Sequence, residues 1–193
     1  MTIKELRREQ ILSAATKIFS EKTYHGASLK DIGDAVGLRK SSLYHYISSK
    51  EKLLVEIVLG ALRAMDKGLA QVENTDLTPV ERLRQIIREH VKFQVEYREA
   101  GSLFISERHI ISSLALAEVS EIFERRDRLL ARTLKEGAEM GLYRPVDIRI
   151  VSLAILGACN SVLLWHRPSG RLSYEEIADR FFDFFHRGLS VTS

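Results

Sequence analysis

Apolar residues recur at helical spacing along almost the whole chain. Leu6, Ile11, Leu12, Ala15, Ile18 and Phe19 make one stripe of period 3.6 that runs to about Glu21. Tyr24-His25-Gly26 breaks it. Ser28 followed by Asp31 has capping-box spacing, with Asp in place of Glu or Gln, and opens a short helix from Leu29 to Ala35. Gly37 supplies a turn, and a third helix is expected from about Lys40 to Tyr46. Ser48 with Glu51 reads as a second box, opening a long helix from Ser49 to about Val72. Thr75 to Pro79 is a polar break, after which Thr78-Pro79 with Glu81 starts a helix to about Arg98. Glu99-Ala100-Gly101-Ser102 is another joint. A shorter helix, Leu103 to about Ile111, and a long one, Leu116 to Met140, are expected next, the latter stopped by Gly141. Asp147 opens a helix to Trp165, and Ser173 with Glu176 opens the last, to about Arg187. The pattern predicts an all-α chain of about nine helices, with no strand, repeat or low-complexity segment.

Two short helices joined by a glycine turn make a helix-turn-helix. Ala35 is small where the two helices are expected to approach, and Gly37 permits a left-handed turn. Leu29, Ile32, Leu38 and Leu43 are spaced to fill a small core. The second helix then offers Arg39, Lys40, Ser41, Ser42, Tyr44 and His45, donors suited to phosphates and base edges.

Charge sharpens this. The chain has 193 residues and a formal net charge of +3. Residues 1–54 hold ten Lys/Arg and six Asp/Glu, net +4, and the remainder nets −1. A basic head on a near-neutral body suits a polyanionic partner. The single cysteine, Cys159, excludes a disulfide framework and a Cys-based zinc cage. No glycine-rich phosphate loop, His-Glu-x-x-His or nucleophile elbow is present, and the six histidines form no i,i+4 pair. No enzyme activity, cofactor or metal is therefore expected. The N-terminus is charged without a long apolar stretch behind it, and the segment Ile150 to Trp165, interrupted by Ser152, Asn160 and Ser161, is short for a bilayer. The expected location is the cytoplasm, away from membranes.

The stretch Leu43-Tyr44-His45-Tyr46-Ile47 followed by Ser49-Lys50-Glu51-Lys52-Leu53 resembles the DNA-binding domain of TetR-family transcriptional regulators, and the match extends over residues 6–58. Ile47 stands where the family usually has Phe, and Gly33 where it usually has Ala. The resemblance implies a helix-turn-helix domain over residues 1–48 and an effector-binding and dimerisation bundle over 49–193. Tyr44 and Lys50 match phosphate-contacting positions. Lys40, Ser41, Ser42 and His45 match recognition-helix positions, Ser28 and Lys30 lie where the preceding helix meets phosphate, and Arg39 adds a donor. The implied partners are operator DNA, a second copy of the chain and a small-molecule effector.

In the larger domain, Ile148, Val151, Ser152, Ile155, Leu156 and Cys159 make one apolar helix face. Phe181, Phe182, Phe184 and Phe185 make the last helix apolar nearly all round. Val151, Ile155, Cys159, Phe181 and Phe185 are the candidate dimer interface; Cys159 as a redox sensor is weighed against simple core packing. Candidate effector contacts are His90, Phe93, Tyr97, Phe104, Arg108, Asn160 and Trp165, with Ile111, Leu130, Leu134 and Leu163 as further wall. The run from Asn160 through Trp165-His166-Arg167-Pro168 to Arg171 resembles members that control fatty-acid or steroid catabolism, which implies an acyl-CoA effector with Arg108, Arg167 or Arg171 near its phosphates. The reading is thus a repressor released from its operator by a small apolar effector; the alternative is a helical small-molecule-binding or catalytic protein without operator binding.

Overall fold

The computed structural model describes residues 2–191, with Lys40 described by its backbone alone. Among the described residues there are nine helices and no strand. They are α1 (Ile3–Lys22), α2 (Leu29–Ala35), α3 (Lys40–Leu43), α4 (Lys50–Glu73), α5 (Pro79–Glu96), α6 (Arg98–Ser106), α7 (Arg108–Glu139), α8 (Ile148–Trp165) and α9 (Tyr174–Leu189).

Side-chain caps set most of the helix starts. The boxes Ser28/Asp31, Thr78/Glu81 and Ser173/Glu176 form as expected, and Thr2/Glu5 adds one at the start of α1. At α4 the cap is Ser49, whose Oγ accepts from the Lys52 N–H at 3.2 Å, rather than Ser48. The recognition helix is one turn, shorter than the pattern predicts. Beyond Leu43 the His45 and Tyr46 amides bond to the carbonyls three residues back, tightening the chain into turns. The break expected between Ile111 and Leu116 is present as a kink at Ala115 (φ −144°) within α7, and a further break at Glu107 parts α6 from α7.

By contact the chain divides into two compact units, Met1–Leu62 with Glu99–Val119, and Arg63–Arg98 with Ser120–Ser193. The division falls inside α4 rather than at residue 48, and the first unit also takes in α6 from Glu99 and the start of α7. The sequence pattern does not show this, because a helix that serves two units has one uninterrupted period.

In the first unit α1 packs on α2 and α2 on α3. Ile11, Ala15, Phe19, Ile32 and Leu43 form a closed core. Gly37 adopts φ +67°, as the turn requires. The close approach falls at Gly33, not Ala35. A Cβ on Gly33 would stand 2.6 Å from the Leu38 carbonyl, whereas Ala35 is exposed. Glycine in place of the family's usual Ala is therefore explained by packing. Arg8 bonds bidentately to Glu56 at 2.7 Å and also caps the Tyr46 carbonyl, so part of the basic head holds α1 to its neighbours.

In the second unit α5 packs on both α8 and α9, which also pack on each other. By length and composition α8 is apolar enough to cross a membrane (mean hydropathy 1.8), yet only 28% of it is buried. Ile150, Leu153 and Leu164 are exposed along it, and Phe184 along α9.

Candidate nucleic-acid interface and effector bundle

The helix-turn-helix presents its polar side chains on a rigid base. Leu43 and Ile47 are buried, while Arg39, Ser41, Tyr44 and His45 are exposed and Ser42 is half-buried. Tyr44 is 49% exposed although it directly follows Leu43 at 0%. A core role for Tyr44 is thereby excluded; Tyr46 is half-buried. Among the described residues no acid pairs with Arg39, and Lys30 stands exposed on the first turn of α2. The Lys40 side chain lies outside the described residues.

Two expected contacts are already engaged within the head. The Ser28 hydroxyl donates to Asp31 at 2.6 Å and accepts the Asp31 amide as the cap. Lys22, at 2.6 Å, and Ser28 together hold the Asp31 carboxyl well below the usual carboxylate range. Lys50 lies over the Tyr24 ring, 4.4 Å from its centroid. Burial, then the nearby Glu51 and Glu107 carboxylates, push the Tyr24 hydroxyl up to about 12. Lys50 is only partly free for phosphate.

The same unit holds a buried acid, Glu107. It lies at the α6–α7 break, with Oε2 3.1 Å from His25 Nε2. The contact lacks hydrogen-bond geometry, so the carboxylate oxygen is held by charge alone whenever His25 is protonated. Phe104 and Arg108 also fall in this unit, half-buried and exposed respectively.

The second unit brings together His90, Gln94 and Asn160. Asn160 Oδ1 accepts from Gln94 Nε2 at 2.9 Å and lies 2.8 Å from His90 Nε2. With the proton on Nε2, His90 donates to Asn160 and its buried Nδ1 has no hydrogen-bond partner. Burial, and then the field of Arg126, push the His90 imidazolium down to about 4, so the ring is neutral at pH 7. Arg126 carries no mark in the sequence. It sits almost covered, bonded to Asp127 at 2.7 Å and stacked 4.7 Å from the Phe123 ring centroid. An arginine one position from an acid gives no signal that its helix face turns inward. Phe93 stacks on Tyr97 at 5.8 Å, with Phe93 buried and Tyr97 at the edge of exposure. Trp165 is half-exposed, its indole N–H donating to Ser161 Oγ at 3.1 Å.

The expected dimer residues separate. Ile155 (1% exposed) and Cys159 (0%) are packed inside the subunit and cannot face a partner. α8 packs on α5 and α9, and both residues lie among its buried positions. Burial raises the Cys159 thiol to about 12, which fits packing and not redox sensing. Val151, Phe181 and Phe185 are half-buried, and the outward apolar face is carried instead by Ile150, Leu153, Leu164 and Phe184.

Comparison with known proteins decides the family. A family model described as bacterial regulatory proteins, tetR family, matches residues 11–57, and one described as tetracyclin repressor-like, C-terminal domain, matches residues 76–189. The chain belongs to the TetR family. It is a ligand-responsive, DNA-binding transcriptional regulator of the repressor type and not an enzyme. Among its relatives, the transcriptional repressor KstR2 of Mycolicibacterium smegmatis is 25% identical over 187 residues, 95% of this chain and 91% of that protein. The TetR-family regulator PfmR of Thermus thermophilus is 31% identical, with a TM-score of 0.85 over 94% of this chain and 99% of that one. AibR, solved in complex with isovaleryl coenzyme A and operator DNA, is 27% identical, with a TM-score of 0.80 over 92% and 97%.

Proposed function

We propose that this TetR regulator reads its operator through Arg39, Lys40, Ser41, Ser42, Tyr44 and His45, with Ser28, Lys30 and Lys50 on flanking phosphates. The supporting observation is Tyr44, half-exposed directly after a buried Leu43 and on the same short segment as the exposed Arg39, Ser41 and His45. An exposed aromatic hydroxyl in a basic, serine-rich setting suits a phosphate, not a protein core. Each charge placed on phosphate releases counterions, so affinity falls steeply with salt. In fluorescence anisotropy with its promoter DNA, Arg39→Gln is expected to weaken binding about fivefold and to lower the salt slope by about one. No binding of any promoter fragment at low salt sinks the reading.

The second copy is proposed to cover the α8–α9 face through Ile150, Leu153, Leu164, Phe181, Phe184 and Phe185, with Val151 at its edge. This accounts for a helix as apolar as α8 being mostly uncovered within one subunit. Two heads then address two half-sites, and a protein that binds operator DNA works in the cytoplasm.

The effector is proposed to be an acyl-CoA, on the likeness to AibR and the neutral His90–Gln94–Asn160 cluster of the second unit. Isovaleryl-CoA and longer acyl-CoA esters are expected to release the operator complex. A hundredfold loss of operator affinity corresponds to about 2.7 kcal/mol of coupling. Release by none of a series of acyl-CoA chain lengths excludes this effector class.

A further inference from the structure

We propose that Glu107 is a positioning residue for operator binding: through His25 its buried carboxylate fixes the loop between α1 and α2, and the proton on His25 thereby sets operator affinity. Glu107 is not itself a DNA contact. It acts on the loop that leads into Ser28 and Lys30 at the start of α2.

That loop is strained and needs an anchor. Thr23 ends α1 with φ 63° and ψ 159°, a backbone region that a β-branched residue enters only when its surroundings force it. The loop then turns so tightly at Gly26 that a Cβ there would stand 2.3 Å from the Lys22 carbonyl oxygen. The Ala27 amide closes the turn by donating to the Thr23 carbonyl at 3.2 Å. These bonds shape the loop but do not fasten it to the rest of the unit. Tyr24 and His25 do that. Tyr24 is buried, edge-on to Phe19 at 5.2 Å, and His25 Nε2 meets Glu107 Oε2 at 3.1 Å.

The second fastening depends on charge. The His25 side chain is 72% exposed and that of Glu107 8%, so the imidazole exchanges its proton with water while the carboxylate is cut off from it. Glu107 Oε2 is buried with no hydrogen-bond partner. A carboxylate oxygen in that position is costly unless a cation stands beside it. Protonated His25 is that cation; neutral His25 leaves the charge uncompensated and releases the loop. The groups around the pair keep their charge states at neutral pH. Burial first, then the carboxylates of Glu51 and Glu107, push the Tyr24 hydroxyl up to about 12, so it stays neutral. Glu51, at the start of α4, is held below the usual carboxylate range by its own amide and Ser49. Lys50 lies as a cation over the Tyr24 ring. Histidine is the side chain whose ordinary charge change falls between about pH 5 and 8. As pH rises through that range the loop loosens and operator affinity falls.

Fluorescence anisotropy of the full-length protein with a labelled promoter fragment, at constant ionic strength from about pH 6 to pH 8, tests this. Over that range wild-type affinity is expected to fall about fivefold more than that of Glu107→Gln. Gln keeps the size of the buried side chain and removes its charge; a merely structural role would shift affinity equally at every pH and leave the slope alone. Glu107→Met, a second uncharged side chain of similar length, carries the same expectation and guards against a loss of fold peculiar to Gln. His25→Lys sets a permanent cation opposite Glu107 and is expected to hold the low-pH affinity throughout. Its gain at the high-pH end is expected to vanish when Glu107→Gln is added, which separates the pair from simple attraction of a new lysine to DNA. In a His45→Gln background, which removes the imidazole near the recognition helix, the dependence on His25 is expected to persist. In the DNA-free protein at the low-pH end, hydrogen exchange is expected to show the Ala27 amide less protected in Glu107→Gln than in wild type, with α5 unchanged. A pH profile of Glu107→Gln that matches wild type overturns the proposal. So does a His25→Lys gain of the same size with and without Glu107, or Ala27 protection indifferent to the substitution.

Discussion

Leu43 is fully buried and Tyr44 beside it is 49% exposed; Phe182 is 2% exposed and Phe184, two residues on, is 74% exposed. Both regions place a large ring outward next to a core residue, but the surroundings differ. Tyr44 stands among Arg39, Ser41 and His45, a surface that water solvates well and a polyanion solvates better. Phe184 shares a groove with Val151, Ala154 and Phe185 at the start of α8, with Arg144, Arg180, Asp183 and Arg187 in its lining. The first surface is stable as it is and waits for DNA. The second is an apolar surface that contact with another molecule must cover. Exposure of an aromatic ring therefore has no single meaning; the charge and polarity around it decide whether the partner is nucleic acid or protein.

The largest expected effect breaks the head alone. Leu43→Ala removes a fully buried side chain from a small core and is expected to cost about 3 kcal/mol. Hydrogen exchange should show loss of protection over residues 28–58 and loss of operator binding, with α5, α8 and α9 still protected. Loss of protection in both regions together would mean that the head does not melt as a separate unit.

Next comes the bundle interior. Because burial depresses the His90 pKa from 6.5 to about 4, the unfolded chain takes up a proton in that window before the folded one does. His90 thus contributes stability that is complete above pH 6.5 and lost as pH falls towards 4, about 3 kcal/mol in all. His90→Gln, which keeps a hydrogen-bonding side chain, is expected to flatten this part of the melting profile relative to wild type. An unchanged profile would place the ring in water.

The α8–α9 face follows. Leu153→Asp with Phe184→Asp puts charges where a partner must pack, and is expected to weaken dimerisation at least thirtyfold, about 2 kcal/mol. Sedimentation would detect it, with little change in the circular dichroism of the monomer. A dimer of unaltered strength would move the interface elsewhere. The smallest effect is a gain. Gly60 lies in α4, exposed, with no atom near an added Cβ. Gly60→Ala is expected to stabilise by about 0.8 kcal/mol, measured as a rise in melting temperature. A loss instead would show that α4 needs that glycine to bend or to be approached.

The amino-acid sequence by itself determined the all-α class, most helix starts and the helix-turn-helix, because these rest on contacts within a few residues: the Ser28/Asp31 and Thr78/Glu81 boxes, the Gly37 turn, the Leu43-Tyr44 pair. It also carried the family resemblance, since that motif is continuous in the chain. What only the tertiary structure decided depends on which side of a helix is covered. The apolar period of α8 is the same whether Cys159 or Leu153 faces inward, and α5 and α9 settle it in favour of Cys159. The burial of Glu107, the partial cover over Arg126 and the pairing of His90 with Asn160 join residues remote in the chain or change their solvation. No local spacing encodes such meetings, because desolvation and partner choice belong to the packed chain.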